Sequence, residues 1–280
     1  MAQLSLFGPS GEDLDPKPAS DEVIRLRVLI TVKAAPNPSE KYGETVCVAG
    51  VRANLEHPGW VRLYPINFRY LDSTEKFDKY DIVSVDAIPA RGGDQRRESW
   101  RPLMGTLVRE RRLPPWKQRR AWLDTYVESS MCRLNQGARN TTDSQSLALV
   151  QPREVGDLKI TLHEGWTKEE QRKIDAYVNQ LDLLDDQDRT PLEAPRFRGA
   201  YRYRCWDRRC RGHEQGLLDW EFVVLQRRLR HYSDEEARGA LKKKFLDMMC
   251  APKRDVAFYV GNQAKRRHVF SVLGVYYPER

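Results

Sequence analysis

The sequence lacks the features that mark membrane, secreted and common nucleotide-dependent proteins. No apolar run approaches the roughly 20 residues that span a bilayer. The start of the chain shows no basic segment followed by an apolar one, as a signal peptide would. Walker, Rossmann, Gly-x-Ser-x-Gly and His-Glu-x-x-His patterns are also missing. We therefore expect a cytoplasmic protein outside these enzyme classes.

Cysteine is scarce, with five in 280 residues. In a cytosolic chain these cysteines are not expected to form disulfides. Cys47 lies in an apolar segment at 45–49 and is interpreted as a small core residue. Cys132 stands alone, whereas the other three cysteines suggest a metal site.

Cys205, Cys210 and His213 follow one another closely, and Cys250 comes later. Zinc prefers four Cys or His ligands in a tetrahedron, and four protein ligands leave no position for a catalytic water. The sequence therefore predicts a structural zinc ion held by these four residues, although four residues rather than two separate the first pair. His231 is a rival fourth ligand. The alternative is a set of unrelated thiols beside an exposed histidine.

Acidic residues are fewer than basic ones, 40 against 48, which gives a net charge of +8. Arginine forms bidentate contacts with phosphate and stacks on bases, so a polyanionic partner is the natural inference. An ordinary basic surface is the alternative. The uneven distribution favours the first interpretation, because the segment up to Asp21 is acidic and the basic residues cluster further on.

The densest basic and aromatic cluster surrounds the predicted zinc ligands. In a strand, its arginines and tyrosines would lie on opposite faces. Arginines would then follow phosphates while exposed aromatics stack on bases, unless the tyrosines pack inward as core. A Gly261-Asn262 turn is predicted to present a second basic group at a hairpin tip. The predicted nucleic-acid-binding residues are Arg196, Arg198, Tyr201, Arg202, Tyr203, Arg204, Arg208, Arg209, Lys265, Arg266 and Arg267.

Evidence for catalysis is thin. Asp219 and Glu221 are weak candidates for the clustered carboxylates with which nucleases hold divalent metals. Residues two apart on a helix do not face each other, however, and acids near a helix start also suit the helix dipole. The sequence thus favours a binding protein over an enzyme.

The periodicity predicts a mixed β/α fold with small β-barrels and helical insertions. Strands are expected over 25–32, 44–53, 60–64 and 81–88. Helices are expected over 114–127, from a Thr167/Glu170 capping box to about 184, and from about 217 to 250 with a break near Ser233. The predicted division is a disordered tail at 1–21, a β domain at 22–165, a helix and linker at 166–194, and a basic zinc-containing module at 195–280.

The tail carries a short motif formed by Gln3, Leu4, Leu6 and Phe7, followed by glycine, proline and acidic residues. It resembles the peptide with which bacterial polymerases and repair factors bind the replicative sliding clamp. The resemblance implies an extended peptide whose leucine and phenylalanine side chains fill an apolar pocket. A first edge strand is the alternative, although the residues that follow would not continue a strand well.

The body of the chain also resembles a known family at residues 28–33, 41–44, 59–65, 97–102, 205–221 and 258–262. This is a poorly characterised prokaryotic family with two OB-type barrels, often found among mobile-element and phage-defence genes. The resemblance implies nucleic-acid binding and supplies no catalytic residues. We expect a nucleoid-associated accessory protein that binds single-stranded or junction DNA and is recruited to the sliding clamp in replication, repair or phage defence. The alternatives are a metal-dependent nuclease or DNA-modifying defence enzyme, and an RNA- or protein-binding adaptor.

Overall fold

The computed structural model describes residues 17–18, 20–39, 43–53, 58–68, 71, 76–179 and 191–280. The fold is mixed β/α, as predicted, with two sheets that follow one another along the chain. The strands of the first sheet are β1 (Ile24–Lys33), β2 (Asn37–Ser39), β3 (Gly43–Arg52), β4 (Trp60–Ile66), β5 (Asp81–Pro89), β6 (Ser99–Pro102) and β7 (Val108–Arg112). Those of the second are β8 (Val127–Glu128), β9 (Leu147–Val150), β10 (Glu154–Leu162), β11 (Phe197–Arg204), β12 (His213–Leu217), β13 (Ala257–Gln263) and β14 (Arg266–Tyr276).

The first sheet closes into a five-stranded barrel. Its strands follow the order β1-β3-β4-β6-β5, and β5 pairs again with β1. One long strand makes both closing contacts, because the first half of β1 pairs with β5 and its second half with β3. The register shifts between Ile30 and Val32, which lets the strand bend around the barrel. Val28, Leu63 and Val85 are fully buried inside, as expected of β-branched and leucine side chains on inward positions.

The second sheet has the order β10-β11-β12-β14-β13-β9-β8. Its two ends are linked along the chain, since only residues 151–153, with Pro152, separate β9 from β10. β9 pairs with β13 while β10 pairs with β11. If β9 and β10 are counted as one interrupted strand, that strand pairs with a different neighbour in each half, as β1 does in the first sheet. The second sheet therefore curls back on itself. Its interior is filled by Tyr201, Phe258 and Val272.

Helices connect the strands at the periphery. They are α1 (Lys117–Leu123), α2 (Met131–Asn140), α3 (Lys168–Val178), α4 (Trp220–Arg228) and α5 (Asp234–Lys242), and a π-helix (Lys243–Met248) continues α5. The Thr167/Glu170 capping box is confirmed at the start of α3. A second capping box, formed by Ser233 and Glu236, starts α5 at the predicted helix break. No helix in the described part of the chain is long and apolar enough to cross a membrane.

The two sheets share an apolar cluster. Trp60 of β4 contacts Tyr259 of β13 edge-on, with ring centroids 6.4 Å apart. Leu29 and Tyr276 belong to the same buried cluster. A buried guanidinium, that of Arg62, also reaches from β4 into the second sheet. The two sheets are thus packed face to face through a mixed apolar and polar interface.

The structure differs from the sequence predictions in one domain boundary and in one turn. Residues 127–162 hold β8, β9 and β10, which pair within the second sheet, so the change from first to second sheet falls earlier than residue 165. Gly261 and Asn262 lie within β13, and the hairpin tip falls instead at 264–265. A Cβ at Gly261 would lie 2.7 Å from Leu273 Cδ1, so a larger residue there would displace the Leu273 side chain. The motif of Gln3, Leu4, Leu6 and Phe7 lies outside the described residues.

Candidate metal centre and the adjacent basic surface

Four ligand-type side chains meet at one end of the second sheet. Cys132, Cys205, Cys210 and His213 place three sulfur atoms and a ring nitrogen within 4.8 Å of one another. His213 Nε2 lies 3.3 Å from Cys210 Sγ, 3.4 Å from Cys205 Sγ and 3.6 Å from Cys132 Sγ. Cys205 Sγ and Cys132 Sγ are 3.7 Å apart. This group can hold a metal ion such as zinc.

These spacings can be compared with an occupied tetrahedral site. With Zn–S bonds of about 2.3 Å and a Zn–N bond of about 2.0 Å, tetrahedral angles place two sulfurs ~3.8 Å apart and a sulfur and nitrogen ~3.5 Å apart. The Cys205–Cys132 distance of 3.7 Å and the three Sγ–Nε2 distances of 3.3, 3.4 and 3.6 Å match those values. Four of the six ligand spacings therefore fit a four-coordinate metal, and the two from Cys210 Sγ to the other sulfurs lie within 4.8 Å.

Each ligand sits on a firmly held segment. Cys132 lies in the first turn of α2, whose Ser130 N-cap accepts from Arg133 N. Cys205 directly follows β11, and His213 is the first residue of β12. Between them Asp207 organises a tight turn, because its Oδ1 accepts from Arg209 N and its carbonyl accepts from Cys210 N. The loop that carries Cys210 is thus held in a defined turn by its own hydrogen bonds.

The electrostatics of the site favour one ionised thiol. Burial opposes ionisation of Cys205, but its hydrogen bond with His213 and backbone contacts lower its pKa to about 6. Burial raises the pKa of Cys132, and the adjacent Cys205 raises it further. Three thiolates packed this closely repel one another, so their full ionisation requires a cation among them.

Cys250 does not belong to the cluster, which corrects the predicted fourth ligand. Cys250 lies just beyond the π-helix, and its Sγ is 3.5 Å from the carbonyl of Phe245 in that helix. Burial raises its pKa to about 12. The position predicted for it is filled by Cys132, which lies 73 residues before Cys205. The rival ligand His231 is exposed and accepts a hydrogen bond from Arg230 instead.

β11 runs directly into this centre and has two contrasting faces. Its burial alternates along the strand, with Arg198, Arg202 and Arg204 exposed. Tyr201 and Tyr203 point inward, where their hydroxyls donate to Phe245 O and Gln215 Oε1. The predicted stacking of these two tyrosines on bases is thus wrong, because their rings form part of the core. The cationic face predicted for the arginines is present.

The loop after β11 extends the exposed cationic face. Arg208, Arg209 and Arg211 are exposed, and Trp206 leaves 54% of its surface accessible. Trp206 N donates to Ser129 O, which ties this exposed ring to the segment before α2. Trp206 is not among the predicted nucleic-acid-binding residues, although it lies between Arg204 and Arg208 in the sequence. Its exposure distinguishes it from the buried Tyr201 and Tyr203.

Other predicted nucleic-acid contacts are partly engaged within the protein. Arg196 pairs with Asp234 and donates to the carbonyl of Tyr232, so it holds α5 in place. Arg267 donates to Thr142 O. Lys265 and Arg266 are exposed at the β13–β14 hairpin tip.

The carboxylates proposed for catalysis do not form a metal site in the described part of the chain. Asp219 is buried, and its Oδ1 caps α4 by accepting from Glu221 N. Its Oδ2 lies 3.9 Å from Nζ of Lys79, in the turn before β5 of the first sheet. Asp219 is therefore accounted for by helix capping and by an ion pair between the two sheets, with Glu221 in the first turn of the helix.

Together the fold and the cluster define a two-part β protein with a candidate Cys₃His metal centre. Residues 127–280 match the model of a domain of unknown function, DUF8757, and the chain belongs to this family. Residues 24–125 match a second domain of unknown function, DUF8758. The two matched regions meet where the first sheet gives way to the second. No curated protein matches the chain.

Proposed function

We propose that the protein binds single-stranded nucleic acid, in particular DNA, along the outer face of β11 and the loop that follows. One observation carries the proposal. Between residues 198 and 211, six arginines and a tryptophan are exposed on a strand and a loop fixed by the Cys/His cluster. These residues are Arg198, Arg202, Arg204, Trp206, Arg208, Arg209 and Arg211. Cationic grooves with exposed aromatics suit a sugar-phosphate backbone and unstacked bases.

The topology supports the same face. Both sheets order their principal strands first-second-third-fifth-fourth, counting β9 and β10 as one strand. Both pair the third and fifth strands in parallel. We interpret them as OB-type barrels, in which the second and third strands bind oligonucleotides. In the second sheet these strands are β11 and β12.

The metal centre has a structural role in this proposal. We assign zinc as its ion because three thiols and one imidazole are a common structural zinc set. The ion would link α2 to the segment between β11 and β12, so the exposed arginines and Trp206 would be held in place before the ligand arrives. Such preorganisation lowers the entropy cost of binding.

The tail completes the proposal. Gln3, Leu4, Leu6 and Phe7 would bring the protein to the bacterial sliding clamp, which would place it on DNA that is being replicated or repaired, or at sites of phage defence. A pull-down should compare the full chain with a variant in which Leu6 and Phe7 are both alanine. The clamp is expected to capture the unsubstituted protein and not the variant. Equal capture of both would remove the clamp from the proposal.

The binding test uses fluorescence anisotropy with labelled single-stranded DNA, single-stranded RNA and duplex DNA over a range of salt concentrations. An Arg208→Ala/Arg209→Ala variant is expected to bind DNA about tenfold or more weakly. Its plot of log affinity against log salt should be shallower, by about 0.7 per lost contact to a single strand. The matched control is Arg111→Ala/Lys117→Ala, which removes two exposed cations from the first domain.

The outcomes separate the candidate functions. Equal affinity of the Arg208/Arg209 variant and the full chain would contradict the proposed face, whereas loss in the control alone would move binding to the first domain. Tighter binding of RNA would assign the face to RNA. Strand cleavage that needs added Mg²⁺ and disappears in Asp219→Asn would favour the nuclease instead.

A further inference from the structure

A second site lies between the two sheets, away from the metal centre. It is a cleft of about 590 Å³, within the range of small-molecule sites in proteins, and such sites often form where domains meet. β4 and the loop before β6 supply one wall, and the end of β13, the β13–β14 tip and the middle of β14 supply the other. Both sheets are therefore needed to form the cleft.

Cations dominate the polar lining. Arg62, Arg91, Arg96, Arg101 and Lys265 line the cleft, against the carboxylates of Asp21 and Asp94. This is a surplus of three positive charges.

Three of these arginines are already engaged inside the protein. Arg62 is buried and donates to Ser99 and Ser146. Arg91 pairs with Asp21, and Arg96 binds both Asp94 and the Asn262 side chain. The side chains of Arg101 and Lys265 are exposed and make no ion pair among the described residues. They are the groups available to an anion.

The remaining lining is apolar and aromatic. Ala34, Leu218 and Leu273 form a nonpolar floor between the sheets. Tyr64 is 40% exposed at the cleft, and its hydroxyl is within hydrogen-bond distance of Thr45 Oγ1, 3.2 Å away. This contact anchors the ring and leaves its surface to a planar ligand. A flat, partly apolar molecule with an anionic group matches this combination.

We infer that the cleft between the two sheets binds a nucleoside phosphate, either as a free nucleotide or as the phosphorylated end of a strand. The base would lie on Tyr64 and the nonpolar floor, and the phosphate would contact Arg101 and Lys265. The inference does not depend on the β11 face, which lies on other strands. A mononucleotide is too short to report on that extended face, so the two proposals can fail separately.

Cys47 gives the cleft its own reporter. It is a free, half-buried thiol in the cleft lining and is not part of the metal cluster. The rate at which iodoacetamide alkylates Cys47 can be followed by peptide mass spectrometry in the full-length protein. The probes are AMP, ATP, adenosine, inorganic phosphate, and a short oligonucleotide with and without a 5′-phosphate. Calorimetry supplies the affinity of each probe.

AMP or ATP is expected to slow alkylation of Cys47, and adenosine and inorganic phosphate are expected to slow it less. Arg101→Ala should weaken nucleotide binding about tenfold, the effect of one charge-assisted hydrogen bond, while the exposed control Arg111→Ala should not. Protection by the 5′-phosphorylated oligonucleotide alone would identify a strand end as the source. Melting curves check that both variants are folded, and Lys265→Ala provides a second test at an exposed turn.

Two results would overturn the inference. One is unchanged alkylation and no heat of binding with every probe at millimolar concentration. The other is nucleotide protection in both Arg101→Ala and Lys265→Ala that is as strong as in the unsubstituted protein, because the phosphate would then bind elsewhere.

Discussion

The guanidinium of Arg62 binds Ser146 across the interface between the two sheets. Arg62 Nη1 donates to Ser146 Oγ at 2.7 Å, and Nη2 donates to the Ser146 carbonyl at 3.1 Å. Ser146 in turn donates through its backbone N and its Oγ to Glu98, at 2.8 and 3.0 Å. All three residues are buried, so this network joins the sheets through charge-assisted hydrogen bonds.

Replacing Arg62 by Met should destabilise the protein. The side chain keeps much of its apolar volume, but it leaves Ser146 and Glu98 without their cationic partner. We expect the free energy of unfolding in urea to fall by about 2–4 kcal/mol. The exposed control Arg111→Met should change it by less than about 0.5 kcal/mol. Equal stability of the two variants would show that the network contributes little.

Removing Cys132 should release the metal, whereas removing Cys250 should not. Cys132→Ser takes one of four ligands from the cluster, and Cys250→Ser changes a thiol beside Phe245 O. Mass spectrometry of the purified proteins should find about one zinc per chain in the full chain and in Cys250→Ser, and much less in Cys132→Ser. The opposite pattern would restore Cys250 as the ligand.

Trp206 and Tyr203 should differ in their effect on DNA binding. Trp206→Ala removes an exposed ring and should weaken single-strand binding by about 1–3 kcal/mol, with Trp206→Phe retaining most of the affinity. Tyr203→Phe removes only a buried hydrogen bond to Gln215, so it should leave binding unchanged and lower stability by about 1 kcal/mol. Anisotropy and urea unfolding of the same preparations check both. Loss of affinity in Tyr203→Phe would show that the hydroxyl contacts the nucleic acid, which its buried bond to Gln215 rules out.

Lys33 should make stability depend on pH above neutrality. Its Nζ lies 3.3 Å from the centre of the Phe68 ring and donates to Phe77 O. Burial lowers its pKa to about 8, from 10.5. Between these values the unfolded chain holds a proton that the native protein has lost, so stability rises with pH.

The measurement is the difference in unfolding free energy between the full chain and Lys33→Met. The unfolding free energy of the unsubstituted protein should rise relative to that of Lys33→Met as the pH increases from 8 to 10.5. The slope should stay below about 1.4 kcal/mol per pH unit, which is the limit for a difference of one bound proton. A flat difference over this range would mean that Lys33 titrates normally.

Much of the local structure could be read from the sequence. The apolar runs of β1, β3, β4 and β5 and the capping box of α3 all depend on neighbours a few residues apart. The same holds for Cys205, Cys210 and His213, which lie within nine residues of one another. The alternation along β11 was also visible, although it did not say which face is inside. Short strands such as β6, β8 and β9 escaped because two to four residues carry too little periodicity.

By itself the sequence determined the basic charge, the mixed β/α composition and three members of the metal cluster. The tertiary structure decided the rest. It brought Cys132 on α2 to the ligands beside β11, left Cys250 against the core, and buried Tyr201 and Tyr203. The physical reason is that these outcomes depend on which distant strands pair and which face of each strand the core covers. Such long-range contacts leave no local pattern in the chain.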